Sequence, residues 1–296
     1  MTYKLLATDM DGTLLLDNKD ISPASKEALK RARQRGVEIV LCTGRHYVTV
    51  EPYLGQLGID CWIVTNNGGV IRNKEGEIIS ITYMKPKALA QAIDILLASN
   101  VDFNISDERY IYIQTYRERI RNIRRFLINT GMGQLAALWK SLRAVFLTGN
   151  HKKVNFNDFV EGGGKAVSIF IISQDLEKLK KLSDKLQDLR DVDITSSNAD
   201  NIEILDQNAT KGKALEYIGK LISLDREEII AVGDNYNDVS MIDYAGLGVA
   251  MDNAEKGVIA RADWVTKSNE NEGIAHLIKK FIVGPKPGSK ELGYGD

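Results

Sequence analysis

Tyr3-Lys4-Leu5-Leu6-Ala7-Thr8-Asp9-Met10-Asp11-Gly12-Thr13 runs from apolar residues into two carboxylates and a glycine turn. Tyr3–Ala7 is too short for a helix and, Lys4 apart, apolar, which reads as a buried strand. Asp9 and Asp11, two residues apart at its end, repel each other unless a cation or a reaction employs them, although a turn that merely caps the strand has the same look. The next residues set the direction of the sheet. Ser22–Pro23 supplies an N-cap and a proline at the first helical position, and Ala24, Ala28, Leu29 and Ala32 follow at helical spacing until Gly36. Val37–Cys42 is a second buried strand, a helix follows to about Leu57 with Pro52 as a possible kink, and Cys61–Thr65 is a third strand. Strand, helix, strand, helix, strand with short loops gives a parallel sheet with right-handed crossovers.

The rhythm changes at Asn66–Gly69. Val70–Ile71 and Ile78–Ile81, joined by Asn73–Gly76, read as a hairpin. A mixture follows: a helix over Pro86–Ser99, strands over Val101–Ile105 and Tyr110–Gln114, and a helix over Glu118–Thr130. Ala144–Leu147 is strand-like, Ala166–Ile172 is a strand and Leu176–Leu189 a helix. This is an α+β insertion with limits at 84 and 198, and Gly131–Gly164 is its least readable part. After Asp193–Ser196 and Asn201–Leu205 the parallel pattern resumes. It comprises helix Lys211–Ile222, strand Ile229–Val232, helix Asp238–Tyr244, strand Leu247–Ala250, and helices Ala254–Ala262 and Glu272–Val283. Residues 284–296 are rich in Gly and Pro, lack an apolar face and read as a flexible tail.

Composition narrows the function. At 296 residues the chain has room for roughly two domains of ~150 residues. Its 39 Lys+Arg against 40 Asp+Glu lack the basic excess of nucleic-acid or membrane-surface binders. No apolar run reaches the ~18 residues of a membrane span, and Leu5–Ala7 is too short for a signal-peptide core, so a cytoplasmic location is expected. Cys42 and Cys61 cannot form a disulfide framework. Together with His46, His151 and His276 they make a poor zinc set and read as packing or surface residues.

Four polar clusters fall near the carboxyl ends of the parallel strands, where open α/β sheets bind ligands. The first is Asp9–Thr13. The second is Thr43-Gly44-Arg45, a hydroxyl followed by backbone N–H groups at a helix start, which suits an anion. The third is Lys211, at the start of a helix capped by Thr210. A cation there opposes the helix dipole unless an anion lies between them, and an exposed lysine is the other reading. The fourth is Gly233-Asp234-Asn235-Tyr236-Asn237-Asp238. Asp9, Asp234 and a backbone carbonyl suit Mg²⁺, which takes few protein oxygens and keeps several waters, while Asn237 and Asp238 are placed to orient those waters.

In order and spacing, DMDGT, TGR, Lys211 and GDNYND resemble the four motifs of the haloacid dehalogenase-like hydrolases. The large insertion between the second and third resembles the Cof-type subgroup with a type IIB cap. The likeness spans nearly the whole chain except its tail. It implies an α/β Rossmann-like parallel-sheet core with helices on both faces (1–83 and 199–283), interrupted by an α+β cap (84–198). It also implies Asp9 as nucleophile and Asp11 as general acid/base. Thr43, Gly44 and Lys211 would hold the phosphoryl group. Asp234 would bind Mg²⁺ with Asp9 and the Asp11 carbonyl, supported by Asn237 and Asp238.

Three residues are expected to touch substrate, each with a plain competitor. Arg45 and Asn67 follow strand ends facing the site, yet Arg45 suits an ion pair equally well. Asn208 precedes the Lys211 helix, where an Asx turn explains it as well. The arginines at 117, 121, 124 and 125 make a basic helical face, read as solvated. The expected activity is therefore Mg²⁺-dependent hydrolysis of a small phosphorylated metabolite through an aspartyl-phosphate. The expected partners exclude nucleic acid and membrane, and the chain is expected to be a monomer or homodimer. A sugar-phosphate mutase and a low-turnover phospho-switch are the alternatives.

Overall fold

The structure, a computed structural model, describes residues 3–129, 131–196 and 200–284. The 198/199 limit and all but the first residue of the expected tail lie outside the described residues. The chain begins β1 (Leu5–Thr8), α1 (Pro23–Gln34), β2 (Glu38–Cys42), α2 (Tyr47–Leu57) and β3 (Trp62–Thr65), then the hairpin β4 (Val70–Arg72) and β5 (Ile78–Ile81). Ser22 Oγ accepts from Ser25 N at 3.1 Å and Pro23 opens α1, as the spacing predicts. Helix α2 continues through Pro52 and stops at Gly58.

The insertion contains α3 (Pro86–Ala98), β6 (Phe103–Ser106), β7 (Ile111–Ile113), α4 (Tyr116–Asn129), α5 (Gln134–Phe146), β8 (His151–Lys153), α6 (Phe156–Glu161), β9 (Ser168–Ile172), α7 (Leu176–Leu186) and β10 (Val192–Thr195). The chain returns through β11 (Asn201–Asp206), α8 (Lys211–Leu221), β12 (Ile229–Gly233), α9 (Val239–Tyr244), β13 (Leu247–Ala250), α10 (Lys256–Ile259), β14 (Trp264–Val265) and α11 (Gly273–Ile278).

The first sheet has the order β14-β13-β12-β1-β2-β3-β4-β5, parallel from β14 to β3, with the hairpin antiparallel at one edge. Alternation along β1 sends Leu6 to one face, with Leu29 of α1, Val50 of α2 and Leu277 of α11. Leu5 and Ala7 go to the other, with Leu215 and Ile218 of α8 and Met241 of α9. Burying each such Leu or Ile contributes about 1.5–3 kcal/mol, which holds helices on both faces of a sheet whose central strand is wholly buried.

The second sheet, β10-β11-β9-β6-β7-β8, is the cap. One face carries Ile105, Ile169, Ile171, Ile202 and Ile204 against Leu89, Ile93, Phe156, Leu179 and Leu182. The other, facing the first sheet, carries Ser106, Ser168 and Glu203, a polar set that must find partners when buried.

Four expectations need correction. Ala144–Leu147 is no strand but the end of α5, where Ala137, Ser141 and Val145 recur every four residues on the buried side. The apolar run imitates a strand only when the preceding turns of helix are missed. Strand β11 pairs antiparallel with β9 and β10, so Asn201–Asp206 belongs to the cap sheet and not to the core. The helix expected over Ala254–Ala262 is the single turn α10. Beyond Ile278 the helix expected to Val283 widens into a π-helical turn, Lys279–Val283.

Candidate active site

Strands β1, β2 and β12 are neighbours, so the residues just past their carboxyl ends meet at one edge. Asp9 follows β1 and is 5 % exposed. Lys211, wholly buried, reaches it from α8: Nζ lies 2.6 Å from Asp9 Oδ1 and 2.5 Å from Asp238 Oδ1. Asp238 also accepts from the amides of Asp234 (2.9 Å) and Asn235 (3.0 Å), folding the turn that follows β12. Asp234 Oδ1 accepts from Thr13 Oγ1 at 2.7 Å.

One oxygen each of Asp9, Asp234 and Asp238 lies within 4.8 Å of the others. Burial, then the charge of Asp238, holds the Asp9 carboxyl well above the carboxylate range despite Lys211. The same two causes push Asp234 up to about 7. Three carboxylates with one ammonium among them leave negative charge uncompensated, and the donors are hard oxygens. The Asp238 carboxylate is engaged by Lys211 and two amides, whereas among the described residues the Asp9 and Asp234 carboxylates each receive a single hydrogen bond. That set fits a hard divalent cation.

Positive φ and a close approach together require glycine at two of the described positions. Gly12 has φ +77, and a Cβ there would strike the Asp234 carboxylate. Gly68 has φ +108, and a Cβ would strike the Thr210 backbone at the start of α8.

Asp11 lies beyond this cluster. Arg45 holds it with both arms, Nε to Oδ2 at 2.6 Å and Nη2 to Oδ1 at 2.7 Å, and Lys19 Nζ adds a contact at 3.0 Å. Burial would raise the Asp11 carboxyl, but Arg45 and then Lys19 overcome it and bring it down to about 2. Arg45 is thus the ion-pair partner that the sequence allows, and its target is an expected catalytic residue.

Thr43 is 1 % exposed, and its Oγ1 accepts from Arg45 N at 3.2 Å. Gly44 lies against the Asn67 amide. Asn67, itself in the left-handed region, donates to Glu203 Oε2 of the cap (2.7 Å) and accepts from Asn237 Nδ2 (3.0 Å). Asn237 therefore reaches toward the cap junction. Asn208 is exposed, and the Asx turn here belongs to Asp206, whose Oδ1 accepts from the Asn208 amide N and Nδ2 at 2.9 and 3.0 Å. A cleft of about 550 Å³ runs between cap and core beside Lys211, Asn67 and Asn237, with Thr195 and Asn201 on the cap side. Of the basic face on α4, Arg121 pairs with Asp102.

Sequence reasoning misses Glu203, Asn66 and the histidines. Glu203 alternates with Ile202 and Ile204 on β11, which marks a polar face that was there to be read. Burial pushes its carboxyl up to about 7, against hydrogen bonds from Ser168 and Asn67. Asn66 donates to the hydroxyls of Ser106 (2.9 Å) and Ser168 (3.1 Å) on the cap, contacts with no local signature.

Residues 6–278 match the haloacid dehalogenase-like hydrolase family. The chain belongs to that family. It is 31 % identical over 284 residues to the 5-amino-6-(5-phospho-D-ribitylamino)uracil phosphatase YwtE of Bacillus subtilis, covering 95 % of this chain and 99 % of that protein. It is 29 % identical to the pyridoxal phosphate phosphatase YbhA of Escherichia coli, covering 96 % and 100 %. The solved structure of a haloacid dehalogenase-like hydrolase from B. subtilis superposes with a TM-score of 0.82 at 31 % identity, covering 94 % and 100 %. The protein is an enzyme of the phosphoric monoester hydrolase class, within the Cof-type subgroup.

Proposed function

We propose that this hydrolase removes the phosphoryl group from small soluble metabolites through an aspartyl-phosphate on Asp9, with Mg²⁺ bound. The observation that supports it most is the buried junction of Asp9, Asp234 and Asp238 around Lys211. Named relatives act on phosphorylated small molecules of this kind.

Asp9 attacks phosphorus in line, forming a P–O bond as the bond to the leaving oxygen breaks. Asp11 gives that oxygen a proton, then takes one from the water that cleaves the aspartyl-phosphate. Held by Arg45 and Lys19, Asp11 is ionised at rest. It takes up its proton once those two cations turn toward a bound phosphate dianion. The Lys211 ammonium and the Thr43 hydroxyl, with the amides from Gly44 into α2, hold the equatorial oxygens where negative charge accumulates. Asp9, Asp234 and the Asp11 carbonyl would hold Mg²⁺, which would offset the repulsion between the carboxylate and the phosphate. Asp238 and Asn237 hold Lys211 and the Asn67 turn in place.

The test is phosphate release from p-nitrophenyl phosphate and a panel of phosphorylated metabolites. Turnover is expected to vanish with EDTA and return with Mg²⁺. Turnover that survives EDTA overturns the metal assignment, and an isomerised sugar phosphate exceeding free phosphate would make the enzyme a mutase.

A further inference from the structure

The chain as a whole is balanced in charge, but one part of the cap is not. Residues 116–147, which include α4 and α5, hold seven Lys and Arg and a single acid, Glu118. Among the described residues, only Arg121 of these bases forms an ion pair, with Asp102. Arg117, Lys140 and Arg143 are exposed, and Arg124 buries an Nε that has no hydrogen-bond partner.

The same two helices leave apolar surface in water. Helix α5 buries Ala137, Ser141 and Val145 on one side. Turned away from them, Leu135, Trp139, Leu142 and Phe146 recur at helical spacing and make one stripe. Leu135 is 85 % exposed, Trp139 65 % and Phe146 55 %, and Leu147 just past the helix is 71 % exposed. Single exposed apolar side chains are ordinary, whereas a run of them along one helix marks a surface that something covers.

The bases and the stripe adjoin. At 100° per residue, Leu138 lies between the buried side of α5 and the stripe, and Arg143 lies on the stripe's far side. Leu138 also belongs to a groove of about 340 Å³ between α4 and α5. Ile120 and Ile128 are its other apolar walls, and four arginines of α4 surround them. An apolar strip edged by guanidinium groups on both sides has the layout of a helix lying in a membrane interface. There the apolar side chains sink below the headgroups and the bases stay at the phosphates.

Charge decides among the occupants. A second copy would cover the stripe but bring one set of bases onto another. A nucleic acid would neutralise the bases and leave Leu135, Trp139 and Phe146 in water. A bilayer rich in anionic lipid meets both needs, since its phosphates and acyl chains lie side by side.

We propose that the α4–α5 hairpin of the cap docks the protein on membranes that contain anionic phospholipid. No described helix is long and apolar enough to cross a membrane, so the contact is peripheral. Each basic residue that reaches the surface adds about fivefold to binding, and salt weakens it. Net charge over 296 residues hides this local excess, which is why composition points away from membranes. The proposal stands apart from the phosphatase reading, and the failure of either leaves the other in place.

The test is co-sedimentation of the full chain with vesicles of phosphatidylcholine alone or mixed with phosphatidylglycerol. Binding to the anionic vesicles should exceed binding to the neutral ones by about tenfold or more, and fall as NaCl is raised. Tryptophan emission should shift to the blue on binding. Trp139 is far more exposed than Trp62 or Trp264, so Trp139→Phe should keep the binding and lose the shift. Leu135→Ser with Trp139→Ser should remove most of the binding, and Arg117→Gln with Arg143→Gln should lower it by about tenfold or more. All four side chains are exposed, and an unchanged thermal midpoint will show that these variants fold. Equal binding to both vesicles, or none, overturns the proposal, as does binding that both double variants retain. A dimer that Leu135→Ser with Trp139→Ser dissociates, without vesicle binding, overturns it in favour of a face between two copies. Retention by a nucleic-acid duplex in place of vesicles overturns it as well.

Discussion

At the core end of the cleft Lys211 sits between Asp9 and Asp238, the Asp234 carboxylate has its threonine, and Asp11 has its arginine and lysine. Away from that cleft, Arg119 of the cap has a neutral imidazole, and His46 carries a nitrogen without a hydrogen-bond partner. The core end is assembled before any substrate arrives, from residues fixed by three adjacent strands and one helix. Its electrostatics suit a phosphoryl group whatever is attached to it. The two regions thus differ in how far their charged groups are paired with one another.

The sharpest way to break this contrast lies in the core. Asp9→Asn keeps the shape and a partner for Lys211 but removes the attacking carboxylate. It should cost about 10⁴-fold or more in phosphate release from p-nitrophenyl phosphate. Retained turnover would mean that the prebuilt end is not the reacting end. Next is Lys211→Met, which leaves two buried carboxylates facing each other without their cation. It should cost about 3–5 kcal/mol of stability, read from urea denaturation of the metal-free protein.

Glu203, the cap's buried acid at the junction, sharpens the comparison by pH. Its carboxyl stands at about 7 when folded against an ordinary 4.5. The folded state therefore holds that proton more tightly than the unfolded chain. Stability from this site is full below pH 4.5 and is lost as the pH climbs to 7, by up to ~3 kcal/mol. Glu203→Gln, uncharged at every pH, should match the wild type near pH 4.5 and exceed it at pH 7 in denaturation curves. A gap that does not open between those values would show the carboxylate to be comfortable where it is. The smallest effect belongs to Lys19→Ala. That pair with Asp11 is partly exposed and Arg45 remains, so thermal denaturation should register less than about 1 kcal/mol.

The core end was largely legible from the residues. Asp9, Thr43, Lys211 and Asp234 each lie within a few residues of an element whose period and caps are written locally, and parallel topology alone brings their strand ends together. The cap end was not. Arg119 and His151 are 32 positions apart and meet through strand β8, three residues whose sequence, His-Lys-Lys, carries neither alternation nor β-branching. Ala144–Leu147 misled for the opposite reason: an apolar run is as good a strand as a helix until its register with Ala137 and Ser141 is seen. Asn208 was ambiguous in the sequence because an amide beside a helix start serves a ligand or a turn equally, and the Asp206 contacts that tie it into a turn have no local signature.

Strand β11 ends at Asp206 and helix α8 begins at Lys211. The four residues between them are a tight corner, with Ala209 N donating to the Asp206 carbonyl at 2.8 Å. A rigid elbow, and not a slack tether, therefore joins the cap sheet to the buried ammonium of Lys211. Anyone grafting a foreign lid onto this scaffold inherits that constraint. The splice must leave Asp206 and Asn208 in place, or the new lid will carry the lysine out of register with its aspartates.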